Sequence, residues 1–200
     1  MKNLNYVSFL LMVVIYFLIT TFGGSGTLNA VDGQMALITD VGIVGYSLAV
    51  FFTSLTSFAF LLFVALLTLL VLFIQNDRKA WYYLTSVIVG SIFLSILPDY
   101  YGVISPEPLL GFSDFSFPSV GLAGMVFIGS LTLFYLREYV HVGSNALFAL
   151  LIVVVGFSQI ILKTHWYTDV LAGVVIGGLL TFVFLELECY FQSTLTSSVR

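Results

Sequence analysis

Charge is what this sequence has least of. Asp, Glu, Lys and Arg make up 8% of 200 residues, against 60% hydrophobic residues and a mean hydropathy of +1.13. So little polar surface cannot cover a soluble globule, and the chain reads as an integral membrane protein. Cations are scarcer still. Six Lys and Arg are scattered along the chain and the formal net charge is -4, so there is no basic patch and nucleic acid is not an expected partner. Cys189 is the single cysteine, which excludes an internal disulfide and a cysteine-based metal cluster. Repeats, low-complexity tracts and linkers are also lacking, so residues 1–200 are expected to form one transmembrane domain.

What is present is apolar run after apolar run. A helix crossing the roughly 30 Å hydrocarbon core needs about 20 apolar residues. Six such spans can be drawn, near residues 5–22, 46–74, 80–98, 118–137, 145–163 and 167–190, which gives an all-α, six-transmembrane-helix bundle. The first span resembles a signal peptide in that Lys2 precedes it and small residues follow, but with Met1 present it is expected to be retained. Between the first two spans, Met35-Ala-Leu-Ile is expected to lie along the interface as a short helix. The tail from Gln192 to Arg200 is polar and is expected to fray.

Lys2, the Arg78-Lys79 pair, Arg137 and Arg200 fall on one side of this six-span arrangement. The other side holds Asp32, Asp40, Asp99, Glu107, Asp114 and Asp169, with Lys163 as its only cation. Positive-inside reasoning therefore puts both termini in the cytoplasm, across a plasma or cytoplasmic membrane. Trp81, Tyr82 and Tyr83 form an expected interfacial belt on the inner side, and Trp166 and Tyr167 one on the outer. Glu186 and Glu188, near the inner end of the last span, are expected to face water or headgroups. The many Phe residues are expected to face lipid or pack the bundle rather than hold a cofactor, and Gly173, Gly177 and Gly178 would allow close helix contact.

Chemistry concentrates on the outer side. In Ser158-Gln159-Ile-Ile-Leu-Lys163-Thr-His165-Trp-Tyr-Thr-Asp169, a histidine and an aspartate stand four residues apart, a spacing that brings side chains to one helical face. Asp169 could fix the tautomer of the His165 ring, and it could equally cap the sixth helix, where orphan N–H groups and the dipole favour a carboxylate. Two further segments share this side: Tyr100-Tyr-Gly-Val-Ile-Ser105-Pro106-Glu107-Pro108 and Phe117-Pro118-Ser119-Val120-Gly121. Ser119 is expected to cap the fourth helix in preference to binding an anion.

The order of these segments resembles the type 2 phosphatidic acid phosphatase and vanadium-haloperoxidase superfamily, over roughly Ser91 to Gly178. That family carries three motifs on the outer ends of a six-helix membrane bundle. Its third motif reads serine, arginine, five residues, histidine, three residues, aspartate, often followed by Val-Leu-Ala-Gly. Here Ser158, His165, Asp169 and Val170-Leu171-Ala172-Gly173 stand in register, with Gln159 at the arginine. The resemblance implies His165 as a nucleophile forming a phosphohistidine and Asp169 as its orienter. The second motif, Pro-Ser-Gly-His, appears as Pro118-Ser119-Val120-Gly121, so Gly121 stands where the resemblance implies a histidine that protonates the leaving group. The first, a lysine followed by Arg-Pro-Arg-Pro, aligns with Tyr100 and with Ser105-Pro106-Glu107-Pro108, which puts the Glu107 carboxylate where an anion-binding arginine belongs.

Loss of one donor to a developing oxyanion costs about 10² to 10³ in rate, and loss of a general acid about 10² to 10⁴. Three basic positions and the acid are replaced here, so the family's usual mechanism is expected to be disabled, although such losses do not multiply within one site. The leading expectation is a non-catalytic or strongly weakened relative acting as a binding or structural subunit, with membrane lipids and other membrane proteins as partners. The rival is a lipid-phosphate or lipid-pyrophosphate phosphatase or phosphotransferase, with Lys163 as substitute anion site. For Lys163 that role needs an irregular backbone, because residues two apart on a helix face different ways; snorkelling to headgroups is the simpler expectation. Glu107, Asp169 and His165 are the one set that could hold a hard or borderline cation, but no metal or cofactor is expected. Transport ranks last, since nearly every charge sits at a span end rather than at mid-membrane.

Overall fold

The structure, a computed structural model, describes residues 2–23, 41–75, 78–101 and 116–197. Among them are seven helices and no strand: α1 (Lys2–Gly23), α2 (Gly42–Ser54), α3 (Phe58–Ile74), α4 (Lys79–Tyr101), α5 (Val120–Tyr135), α6 (Ser144–Ile161) and α7 (Tyr167–Ser197). They fall on the six predicted stretches, and the second stretch is two helices. The expected interfacial helix around Met35 lies outside the described residues. Helix α7 continues to Ser197, so the predicted frayed tail is helical over most of its length.

The second stretch, expected as one span, breaks at residues 55–57 and turns by 48°. Its sequence, Thr53-Ser-Leu-Thr-Ser57, supplies the reason. Leu55, Thr56 and Ser57 donate their N–H groups three residues back, to Phe52, Thr53 and Ser54, which tightens the last turn of α2. Ser57 then becomes extended, with φ -64° and ψ 145°, and its side chain caps α3 by accepting from the Phe60 N–H at 3.3 Å. Short hydroxyls thus satisfy backbone groups that a break in an apolar segment would leave bare.

Helix α5 is the hub, packed against α3, α4, α6 and α7; α1 lies on α7, and α2 pairs with α6. A helix apolar on all sides belongs in the middle of a bundle, and α5 buries Leu122, Ala123, Met125, Val126, Phe127, Ile128, Leu131 and Tyr135. At 16 residues it spans about 24 Å, short of a full crossing. Helices α4, α6 and α7 are each long and apolar enough to cross a membrane, and the bent α2–α3 pair qualifies when taken together. Outward-facing Ile43, Val44, Phe58, Phe63, Ile74, Val89 and Ile96 present the hydrocarbon face such a bundle requires.

Polar contacts are kept inside. Thr132 of α5 bonds Thr68 of α3 at 3.1 Å and the Tyr83 hydroxyl of α4 at 3.2 Å, tying three helices by hydroxyls. Tyr83 is therefore buried, not part of the predicted interfacial belt, whereas Trp81 is exposed as predicted. Glu188 departs from expectation in the same direction. It is buried and accepts a hydrogen bond from the Tyr135 hydroxyl, because α7 turns that face onto the end of α5 rather than to headgroups.

Candidate active site

Two helix starts meet at one end of the bundle. The Ser119 N–H, just before α5, donates to the Asp169 carbonyl in the first turn of α7 at 3.1 Å. Glycines allow this closeness: a Cβ at Gly173 would stand 2.7 Å from the Ser119 carbonyl oxygen, and one at Gly177 would stand 2.5 Å from that of Ala123. Ser119 is gathered here with Gln159, His165 and Asp169, which come from one later segment of the chain.

Asp169 is 1% exposed and does what a carboxylate in the first turn of a helix does. Its Oδ2 accepts from the Trp166 N–H at 2.8 Å, the reach-back half of a capping box. The same oxygen lies 3.7 Å from His165 Nδ1, too far for a hydrogen bond. His165 Nδ1 is instead 2.9 Å from the Ser116 carbonyl oxygen. A carbonyl only accepts, so this contact places a ring proton on Nδ1. The cap role predicted for Asp169 is met, and the backbone of Ser116 holds the ring where Asp169 was expected to. Nothing in the sequence marks a backbone carbonyl for this.

Ser119 stands at the N-cap position of α5, as predicted, but its side chain makes no capping bond. Fully buried, its hydroxyl donates to Gln159 Oε1 at 2.8 Å. Gln159, itself 1% exposed, points its Nε2 toward Thr56 Oγ1 at 3.4 Å, and Thr56 donates to the Thr53 carbonyl at 2.8 Å. A neutral chain thus runs from α5 through α6 to the break between α2 and α3. Gly121 closes the same corner, since a Cβ there would sit 3.0 Å from Thr56 Cβ and Oγ1 and 3.1 Å from its carbonyl oxygen. Thr56 was missed by sequence reasoning; the hydroxyl-rich run from Thr53 to Ser57 inside an apolar stretch was the available signal.

Ser158 is buried and back-bonds Val154 O at 2.8 Å in its own helix. Helix α6 ends in a Schellman motif, with Thr164 N–H on Gln159 O at 3.1 Å and Lys163 N–H on Ile160 O at 3.0 Å. Lys163 occupies its left-handed position, φ 54°, where glycine is usual. This is the irregular backbone that a Lys163 beside His165 needs. Tyr100 falls in the last turns of α4, and Glu107 lies outside the described residues. Among the described residues, no three His, Cys, Asp or Glu side chains gather as metal ligands.

Residues 79–192, more than half the chain, match the family model described as the PAP2 superfamily. The fold is similar to a solved transmembrane PAP2-type phosphatidylglycerolphosphate phosphatase from Bacillus subtilis, with TM-score 0.73, 21% identity, and coverage of 92% of this chain and 95% of that one. It is also similar to Aquifex aeolicus LpxE, with TM-score 0.58, 20% identity, and coverage of 77% and 93%. No curated protein matches the chain in sequence. The family model lies over the helices that carry Ser119, Gln159, His165 and Asp169, and the architecture extends the likeness beyond it: this integral membrane protein belongs to the PAP2 superfamily.

Proposed function

We propose that this chain is a non-catalytic or strongly weakened member of its family, serving as a binding or structural subunit in the membrane. One observation carries the reading. Where the family's motifs put an arginine and an acidic histidine, Gln159 and Gly121 are joined to Thr56 in a closed neutral packing arrangement. Phosphoryl transfer spreads negative charge over oxygens that need fixed cations or donors, and here an uncharged amide engaged with Ser119 and Thr56 stands in place of a guanidinium. The single domain spans residues 1–200, with both termini cytoplasmic and the His165 end outside, following the distribution of Lys and Arg. Its partners are membrane lipids and other membrane proteins. Titration of the purified protein with orthovanadate tests the reading: no binding at millimolar concentration is expected, and micromolar binding abolished by His165→Ala would overturn it.

A specific pair of observations favours a second reading. The Ser116 carbonyl holds His165 through Nδ1, so Nε2 is the ring nitrogen left for chemistry on this reading, and Lys163, close before it in the chain, takes a left-handed backbone. Strain of this kind at a non-glycine residue costs about 1–3 kcal/mol and clusters at functional positions. On this reading the protein hydrolyses or transfers a lipid-linked phosphate through a phosphohistidine at His165, with Lys163 holding the anion. It requires vanadate binding that is lost in Lys163→Gln.

A further inference from the structure

The short segment leading into α5 is tied down along its length. Ser119 donates its N–H to the Asp169 carbonyl and its hydroxyl to Gln159. Phe117, 7% exposed, packs in one cluster with Ile19 of α1 and Ala172 of α7. Ser116 offers its carbonyl to His165 Nδ1 at 2.9 Å. The segment is therefore a strap. Hydrogen bonds hold it at Ser119, packing against two helices holds it at Phe117, and it carries the acceptor of the His165 ring with it.

The acceptor that the strap presents is the weaker of two. Asp169 Oδ2 stands 3.7 Å from the same ring nitrogen and is already used by the Trp166 N–H. Oδ1 of that carboxylate is buried and accepts no hydrogen bond, in a side chain only 1% exposed. A hydrogen bond to an ionised carboxylate is roughly twice as strong as one to a neutral carbonyl, and a buried acceptor left without a donor is the costly case. Left to itself, the ring would turn its Nδ1–H to Asp169. Closing 3.7 Å to the hydrogen-bonded range of about 2.7–3.2 Å asks only for a shift of the ring, because Asp169 is pinned in the first turn of α7. Something outside the pair keeps the ring on the weaker acceptor, and the packed residue next to that acceptor is Phe117.

We propose that Phe117 is a positioning residue: anchored against α1 and α7, it holds the Ser116 carbonyl on His165 and keeps the ring parked off the Asp169 carboxylate. Because Ile19 belongs to α1, a change in how α1 lies on α7 reaches the ring through the strap. A parked ring is a second reason, beside Gln159, for weak chemistry at this end. The two are separable: the ring's choice of acceptor does not depend on residue 159, and its failure in the test below would leave the Gln159 reading standing.

The test is nitrogen and proton NMR of the full chain in maltoside micelles with isotope-labelled histidine. The chain has two histidines, so His141→Gln assigns both rings, and exposed His141 is the internal control. In the wild-type chain the His165 Nδ1 proton should resonate as a carbonyl-bonded ring proton, and Asp169→Asn should leave it there. Phe117→Ala should move it downfield, toward a carboxylate-bonded position, with His141 unmoved. The shift should vanish in Phe117→Ala/Asp169→Asn, which a loss of packing alone would not produce. Ile19→Ala loosens the same contact from the α1 side and should move the proton in the same direction by less; it decides the matter if Phe117→Ala does not fold. A wild-type proton that Asp169→Asn displaces would overturn the proposal. So would a His165 resonance unmoved in a folded Phe117→Ala or Ile19→Ala chain, or a shift that persists in the double variant.

Discussion

The two ends of the α5–α7 pair handle polar residues in opposite ways. At the His165 end, neutral Ser119 donates to Gln159, Gln159 to Thr56 and Thr56 to the Thr53 carbonyl, with Gly121 packed against the break in the second stretch. At the other end, Lys79, Arg137 and Glu188 are charged and surround an open cavity. Buried polar groups are tolerated when satisfied, and a satisfied neutral network is a structural device as much as a site. The difference teaches that the corner joining Ser119, Gln159 and Thr56 is held by neutral hydrogen bonds, with the Asp169 carboxylate buried nearby.

The most severe way to break this contrast is to put charge back at the closed end. Gln159→Arg introduces an unpaired guanidinium at a position 1% exposed, and should lower stability by about 3–5 kcal/mol, read as the unfolding midpoint in mixed micelles. An unchanged midpoint would mean that the network yields and the cradle is open. At the charged end, Tyr135→Phe removes the hydroxyl held by buried Glu188, and a loss of about 1.5–3 kcal/mol is expected in the same assay.

Gly121→Ala is a smaller intrusion. Its methyl group would meet Thr56 at 3.0 Å, so about 1 kcal/mol should be lost, and Thr56→Ala in the same chain should recover part of it. Asp169→Asn should have the least effect, about 0.3–1 kcal/mol, because an amide oxygen can still accept from Trp166 while the helix dipole loses its anion. The His165 ring tautomer, followed by nitrogen NMR, should not change in that variant, since the Ser116 carbonyl rather than Asp169 holds Nδ1.

Hydropathy alone located the helical stretches, because the demand for about 20 apolar residues per crossing leaves little freedom in so apolar a chain. Hydropathy could not see the break at residues 55–57, since Thr and Ser are mild enough to pass inside an apolar average and act only through where their hydroxyls turn. Glu188 and Tyr83 were misplaced for a related reason. Polar residues near span ends read as interfacial, and whether they face headgroups or a neighbouring helix depends on rotation about the helix axis, which is set by packing. At the candidate site the motif spacing identified His165, Asp169, Ser119 and Gln159. The cap role of Asp169 was legible from its place at the start of the last span; what spacing could not give was that Ser116 holds the ring and that Thr56 completes the network from a distant element.

We propose that the motif-bearing end lacks a working phosphoryl-transfer site. Phosphate release from phosphatidate, phosphatidylglycerol phosphate and an isoprenoid pyrophosphate, measured with purified full-length protein in maltoside micelles, tests it most directly. Release no faster than that of a His165→Ala variant is expected on every substrate; turnover on any of them that His165→Ala abolishes would contradict the proposal.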